Sequence, residues 1–270
     1  MRLGISSHAF KWNIGQPNAA PDVPLSPLTL LDRATALQVD VVQIADNLPI
    51  HTFSDEVIEV FGNIARNRGI AVELAMRGHD PEMFQQYLEI AKIVDANLVR
   101  TAFPRPNGEA GIDAVIKDVK TVISEFEDAD VCIALENYDH FPIAELAQII
   151  NCIDSSHAGS CIDPGNSLSC NEDTIRVVDV LGPMALNLHV KDMAIFREPY
   201  HMGFWIEGRA CGQGQIDFPW LIDCVRTFNP HANAILENWI PWQGSLEASL
   251  NIEDQWIEES ICYLRTLIPA

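Results

Sequence analysis

The chain has 270 residues, of which 48% are apolar and 20% are charged, so it can bury one large core and lacks the composition of a disordered protein. Its formal net charge of -21 would repel a phosphate backbone, and no cluster of Lys and Arg offsets it, which argues against nucleic acid as a partner. Without an apolar run of about 18 residues or a basic, apolar leader, we expect no membrane partner and a cytoplasmic location.

The cysteines give no sign of a disulfide framework or a zinc ribbon. There are seven of them, an odd number, and none forms a C-x-x-C pair. We therefore expect most of them to be small core residues.

Short apolar runs rich in β-branched residues recur about every 30 residues, and each is followed by a segment with helical periodicity. Eight such runs begin near Leu3, Val39, Ile70, Asn97, Val131, Gly159, Ala185 and Ala234. This alternation predicts a single (β/α)8 TIM barrel that spans residues 1–270 as one domain. The alternative is a doubly wound open sheet, which usually has a glycine-rich phosphate loop after its first strand. The residues from Gly4 to His8 do not form such a loop.

Helix boundaries are marked in several places between these runs. Ser26 and Asp80 each stand before a proline, which predicts an N-cap followed by proline at the first helical position. Ser54 opens another helix that Gly69 should end. Further helices are predicted over Ala114–Phe126, Ile143–Ile153, Glu172–Leu181, Phe218–Phe228 and Glu253–Leu267.

Acidic residues and one histidine end the last four predicted strands. In a βα barrel the active site lies at the carboxyl ends of the strands, so Glu136, Asp163, His189 and Glu237 should meet at one side of the barrel mouth. Each residue taken singly has a structural explanation, but three carboxylates converging in a partly buried site are costly unless a cation neutralises them. The sequence therefore predicts one divalent metal ion. The oxygen-rich ligand set favours Mn2+, with Mg2+ or Co2+ as alternatives and Zn2+ less favoured.

The segments around these residues resemble a known family, the xylose isomerase-like barrels, which include ketose 3-epimerases, hydroxypyruvate isomerase, inosose dehydratase and endonuclease IV. The resemblance covers nearly the whole chain. Its clearest marks are Leu135–Asn137, Cys161–Asp163, Asn187–Asp192, Gly212–Phe218 and Ile235–Glu237. The H-x-K-D and G-x-G-x-x-D-[FY] segments in this order are typical of the family but do not specify a substrate.

The resemblance implies a role for each residue at the predicted mouth. Glu136 and Glu237 would be metal ligands and also the catalytic acid–base pair, Asp163 and His189 would complete the metal site, and Lys191 would support it or contact substrate. A metal stabilises the enediolate that forms when a proton beside a carbonyl is removed. Two carboxylates on opposite faces of the substrate can remove and return that proton.

The chain departs from its relatives at Asn166, three residues after Asp163. Endonuclease IV has a zinc-binding His there, so its absence argues against DNA repair. Ketose 3-epimerases have a substrate-binding His at the same place, so their way of holding substrate is not expected to carry over unchanged. We keep Asn166 as a candidate substrate-binding residue. Gln213 also stands where the family usually has Glu.

Other strand ends supply weaker candidates for substrate binding, namely His8, Glu73 and Arg100. Arg100 follows an apolar pair and would pair with a carboxylate or phosphate if it points into the mouth. The structural alternative is an ion pair between Arg100 and Glu73 on the neighbouring strand.

A long segment from Asp192 to Gly214 follows the seventh predicted strand and is read as a loop. It contains Arg197, a further candidate for substrate binding, together with Phe204 and Trp205. An aromatic and basic segment of this length in an acidic protein indicates a lid or a dimer contact, so a homo-oligomer is one expected assembly.

These observations support three functions. The first is a metal-dependent isomerase or epimerase of a small ketose or related polyol, acting through an enediolate. The second is a lyase with the same residues, either a decarboxylase of a 3-oxo sugar acid or a dehydratase of an inosose-type substrate, and the basic residues Arg77, Arg100, Lys191 and Arg197 favour the sugar-acid version. The third is a metal-free barrel that binds carbohydrate without catalysis.

Overall fold

The computed structural model describes residues 1–103, 111–139, 141–200 and 202–270. Its strands are β1 Leu3–Ser6, β2 Val41–Ile44, β3 Ala71–Arg77, β4 Leu98–Ala102, β5 Cys132–Glu136, β6 Ala158–Ile162, β7 Ala185–Val190, β8 Asp192–Arg197, β9 Phe204–Arg209 and β10 Asn233–Leu236. All except β8 and β9 form a closed parallel barrel in the order β1-β10-β7-β6-β5-β4-β3-β2. The predicted (β/α)8 TIM barrel is confirmed. The open-sheet alternative is wrong because β1 pairs with both β2 and β10.

The α-helices alternate with the barrel strands. They are α1 Lys11–Ile14, α2 Pro27–Ala36, α3 Asp55–Arg68, α4 Pro81–Val94, α5 Ile112–Asp128, α6 Ile143–Ile153, α7 Thr174–Leu181, α8 Phe218–Phe228 and α9 Leu246–Arg265. Within the described ranges, none of these helices has the length and apolarity needed to cross a bilayer.

Local sequence signals account for most of the helix ends. Ser26 and Asp80 accept backbone N–H groups at the starts of α2 and α4, as their positions predict. Gly69 ends α3 with a φ of 68°, a left-handed conformation that glycine adopts without a steric penalty. The last helix begins at Leu246 rather than at the predicted Glu253 because Ser245 accepts the Ala248 N–H and caps it.

The segment after β7 is not the loop that was predicted. Strands β8 and β9 pair in antiparallel register, from Asp192 opposite Arg209 to Arg197 opposite Phe204. The base of this hairpin packs on the backbone of Trp239, and Gly208 permits the approach because a Cβ there would collide with that backbone. The hairpin therefore stands beside the end of β10.

Alternation along the barrel strands separates an apolar exterior from a more polar interior. Side chains such as Val99, Ile133 and Leu188 belong to the large core between strands and helices. Their strand neighbours point inward, where Leu98, Ala134 and Cys161 form a small separate cluster. Inward-pointing residues nearer the carboxyl ends are polar and charged, and they build the site.

Candidate active site

The four predicted metal ligands meet at the carboxyl ends of neighbouring strands. Glu136 ends β5, Asp163 follows β6, His189 lies in β7 and Glu237 follows β10, and each is at most 4% exposed. The His189 Nδ1 atom lies 3.4 Å from Glu136 Oε1, 3.5 Å from Asp163 Oδ2 and 3.6 Å from Glu237 Oε2. Three carboxylates therefore surround one nitrogen, Nδ1, of a single imidazole ring.

This cluster fits a divalent metal ion. Ligand atoms of Glu136, Asp163 and His189 all lie within 4.8 Å of one another, and Glu237 joins the group through its contact with His189. In the part of the chain that the structure describes, His189 Nδ1 and Glu237 Oε1 are buried without a hydrogen-bond partner. Buried polar atoms normally have partners, and carboxylates with one imidazole are suitable ligands for such an ion.

Two basic side chains, Lys191 and Arg100, are buried against the same carboxylates. Lys191 Nζ lies 2.6 Å from Asp163 Oδ2 and 3.2 Å from Glu237 Oε2. Arg100 Nε lies 3.1 Å from Glu136 Oε2, and its Nη2 lies 3.8 Å from Glu237 Oε1. Arg100 thus pairs with the cluster and not with Glu73, which decides between the two predicted arrangements.

The surrounding charges shift the pKa values of Lys191 and Glu237. Burial lowers the pKa of Lys191, but the carboxylates of Asp163, Glu237 and Glu136 outweigh it and raise that pKa above its ordinary value. Burial raises the pKa of Glu237, yet His189, Lys191 and other nearby cations bring it well below its usual range. Both groups are therefore held in their charged forms.

Asn166 orients Glu136 within the cluster. It begins a short 3-10 helix, Asn166–Cys170, directly after the strand-end Asp163. Its Nδ2 donates to Glu136 Oε1 at 2.8 Å, and its backbone N–H donates to Asp163 Oδ1 at 3.1 Å. Asn166 thus ties two of the predicted ligands together.

A cavity of about 720 Å³ opens above the cluster, large enough for a small sugar. Among the predicted substrate-binding residues, His8, Arg100, Asn166 and Lys191 line it. Trp239 forms part of the wall, and the Lys191 Nζ lies 4.8 Å from the centre of its ring.

Asp46 links the rim of this cavity to the cluster. Its carboxylate lies 3.1 Å from His8 Nε2, 3.6 Å from Arg77 Nη1 and 3.8 Å from Arg100 Nη1. Burial raises the pKa of Asp46, but the hydrogen bond from His8 and the charges of His8 and the two arginines lower it to about 2. Asp46 is therefore a permanent anion that fixes three basic groups at the mouth.

Two predicted substrate contacts lie elsewhere. Glu73 is the third residue of the seven-residue strand β3, so its side chain points into the barrel below the mouth and does not line the cavity. Arg197 is exposed on the hairpin, with its guanidinium 4.9 Å from the ring centre of Phe204. Phe204 and Trp205 are also exposed, and the hairpin residues that reach the cavity are 206–208.

Lys11 also lines the cavity and was missed from sequence. It begins the short helix α1, whose first N–H groups, those of Trp12 and Asn13, donate to the buried carboxylate of Glu253 at 2.7 and 2.9 Å. The sequence signal for this contact was Glu253, an acidic residue within the apolar face of the last helix. A buried carboxylate needs hydrogen-bond donors, and α1 supplies them.

A profile of the xylose isomerase-like TIM barrel family matches residues 31–267. The chain belongs to this family, whose members resembling it include enzymes that act on small sugars.

Individual relatives differ in their chemistry. The chain is 30% identical over 271 residues to the 3-oxo-isoapionate decarboxylase of Pectobacterium atrosepticum, covering 100% of this chain and 97% of that protein. Its fold is similar to D-psicose 3-epimerase from Clostridium cellulolyticum solved with D-tagatose, with a TM-score of 0.75, 13% identity and 100% of each chain covered. It is also similar to a xylose isomerase-like barrel protein from Mycobacterium smegmatis in complex with magnesium, with a TM-score of 0.69, 14% identity and 97% of each chain covered.

Proposed function

We propose that this protein is a metal-dependent decarboxylase of a 3-oxo sugar acid. The observation that carries the proposal is the charge balance of the site. Glu136, Asp163 and Glu237 carry three negative charges against two positive charges on Arg100 and Lys191, so a bound divalent ion leaves one net positive charge. A buried site of this charge is suited to an anionic sugar acid. The similarity to a decarboxylase over the full length of both chains supports the same choice.

The metal would be held by Glu136, Asp163, His189 and Glu237, and Mn2+ is our first choice, with Mg2+ and Co2+ as alternatives. When bound, it supplies a Lewis acid at the oxygen of the 3-oxo group. Cavity residues position the sugar: His8 and Asn166 offer hydrogen-bonding groups, whereas Arg100 offers a permanent charge.

In this reaction the bond between the carboxylate carbon and its neighbouring carbon breaks. Carbon dioxide leaves, the electron pair moves into an enediolate, and a proton is then added to the neighbouring carbon. No base is needed to begin the reaction, which requires only a nearby positive charge and a proton donor. Lys191 and Glu237, 3.2 Å apart, hold a proton at the cavity wall, and Arg100 cannot do so because a guanidinium does not deprotonate in proteins.

The second candidate is an epimerase or isomerase of a ketose. It is favoured by the placement of Glu136 and Glu237, which approach His189 Nδ1 at 3.4 and 3.6 Å from different strands. Such a reaction needs both carboxylates to take up and release protons. Glu136 is instead engaged by Arg100 and by the Asn166 amide, which is why we place this function second.

The two candidates are separated by product mass. The purified protein with Mn2+ is incubated with 3-oxo sugar acids carrying a 13C-labelled carboxylate and, separately, with ketoses and inososes. Release of 13CO2 faster than in a metal-only blank supports the decarboxylase, and a ketose product of unchanged mass supports the epimerase. Asp163→Ala serves as the inactive variant and Arg197→Ala, outside the cavity, as the active control. Absence of any reaction or bound metal would favour a carbohydrate-binding barrel.

A further inference from the structure

The two ring nitrogens of His189 face different surroundings. Nδ1 faces the three carboxylates of the cluster and has no hydrogen-bond partner among the described residues. Nε2 lies on the other side of the ring, 3.2 Å from Oε1 of Gln43 in β2. Only Nδ1 is therefore placed to bind a metal, and it can do so only if the proton of the neutral ring is on Nε2.

The orientation of the Gln43 amide decides which nitrogen carries that proton. Gln43 Nε2 donates to Glu73 Oε2 at 3.2 Å. A carboxylate accepts hydrogen bonds and does not donate them, so the NH2 group of Gln43 must face Glu73. Its oxygen then faces His189, and an oxygen there can only accept a hydrogen bond, which Nε2–H must donate.

Glu73 is itself fixed as an acceptor. Asn187 Nδ2 donates to Glu73 Oε2 at 2.8 Å, and Asn233 Nδ2 donates to Glu73 Oε1 at 2.7 Å. Together with Gln43, three amide donors converge on its two oxygens. Gln43, Glu73 and His189 are at most 2% exposed, so bulk water cannot substitute for a lost partner.

We propose that Glu73 and Gln43 are positioning residues that hold the His189 proton on Nε2 and leave the Nδ1 lone pair for the metal. The inference rests on the metal site of the proposed function. A histidine that binds a metal commonly donates its other N–H to a fixed acceptor, and losing that acceptor weakens metal binding by about 10- to 100-fold. Glu73 thus acts through two other residues instead of contacting substrate.

Three variants test this relay by metal affinity, without any assay of turnover. Gln43→Met removes the acceptor of the His189 N–H. Glu73→Gln keeps the size of the side chain but allows Gln43 to turn its NH2 group toward His189. Asn233→Ala is the matched control, because it removes a hydrogen bond from the same carboxylate on the side away from Gln43. Metal-free protein is titrated with Mn2+, and the free ion is followed by electron paramagnetic resonance.

We expect Gln43→Met and Glu73→Gln to bind Mn2+ about 10- to 100-fold more weakly than wild type, and Asn233→Ala to bind it as wild type does. Near-wild-type affinity in both relay variants, or an equal loss in all three variants, would overturn the relay while leaving the metal site in place. A wild-type protein that binds no Mn2+ would remove the metal site and the relay together.

Nuclear magnetic resonance supplies a second measurement that a general loss of stability would not reproduce. In metal-free protein labelled with 15N-histidine, long-range proton–nitrogen couplings identify the protonated ring nitrogen. The His189 signal should show a proton on Nε2 in wild type and Asn233→Ala, and a mixed or altered pattern in Glu73→Gln. If Gln43→Met does not fold, Glu73→Gln decides the outcome. An unchanged His189 signal in that variant would contradict the inference.

Discussion

Lys191 Nζ lies 2.6 Å from Asp163 Oδ2, so an ammonium ion occupies the side of a carboxylate that would otherwise face a metal. Lys191 and a divalent ion thus act on the same ligands. Their charges repel, but both are held by the excess of carboxylates around His189. Lys191 therefore lowers the affinity for the metal while adding positive charge where the reaction builds negative charge.

Replacing this lysine should separate metal binding from turnover. In Lys191→Met the cluster loses one positive charge, so we expect Mn2+ to bind more tightly while turnover falls by about 100-fold, the typical cost of removing one charge-stabilising group. Lys191→Arg keeps the charge and is the matched control for binding. Mn2+ titration and 13CO2 release measure the two effects. Weaker metal binding in Lys191→Met would show that Lys191 supports the site mainly by packing.

The metal ligands make a simpler prediction. Asp163→Ala or His189→Ala should abolish stoichiometric Mn2+ binding and leave the barrel folded, since the core between strands and helices does not include them. Metal content after dialysis measures Mn2+ binding, and far-ultraviolet circular dichroism shows whether the barrel is folded. Retained wild-type affinity in both variants would show that the metal site has been assigned to the wrong residues.

The predicted residues that lie at the mouth share one physical reason for their position. Glu136 and Asp163 each stand at the end of an apolar run, and strand ends in a parallel barrel share one face. Glu73 lies below the mouth because it stands within β3 and not at its end. The hairpin was missed because apolar side chains such as Phe196 and Phe204 are exposed on it, so its sequence lacks a clean alternation of buried and exposed positions.

Pair distances at the site could not be obtained from sequence at all. The contact between Lys191 and Asp163 depends on the register of β7 against β6, which shifts between Ser160 and Cys161. A bulge of this kind moves side chains on one strand relative to the next without leaving a sequence signal. The pairing of Arg100 with Glu136 depends in the same way on how far each side chain reaches across the barrel.

The glutamates that flank His189 can be tested for proton transfer. Glu136→Gln and Glu237→Gln keep the size of the side chain and an oxygen ligand, so metal binding should weaken modestly while turnover drops by about 100-fold or more for the residue that moves the proton. For the decarboxylase, Glu237→Gln should lower 13CO2 release further than Glu136→Gln, because Glu237 contacts Lys191, which holds the proton. Equal loss of turnover in both variants would favour a two-carboxylate epimerase. Near-wild-type turnover in both would exclude proton transfer by either residue.

Glu253 gives a prediction about stability and pH. Its carboxylate is buried beneath α1, and burial raises its pKa from 4.5 to about 7, although the N–H groups of Trp12 and Asn13 donate to it and act in the opposite direction. The folded protein thus binds this proton more tightly than the unfolded chain does. As the pH rises from about 4.5 to about 7, the unfolded chain ionises first, so this group makes the fold less stable across that window.

Comparison with Glu253→Gln isolates this contribution from the other carboxylates. The free energy of unfolding, taken from urea titrations, is measured for both proteins at about pH 5 and about pH 8. Between these values wild type should lose stability relative to the variant, by an amount on the order of 3 kcal/mol at most. The variant still fills the space beneath α1, so the difference reports ionisation of Glu253 and not a cavity. If the two proteins change in parallel with pH, Glu253 has an ordinary pKa in the folded state, and the donors from α1 compensate fully for its burial.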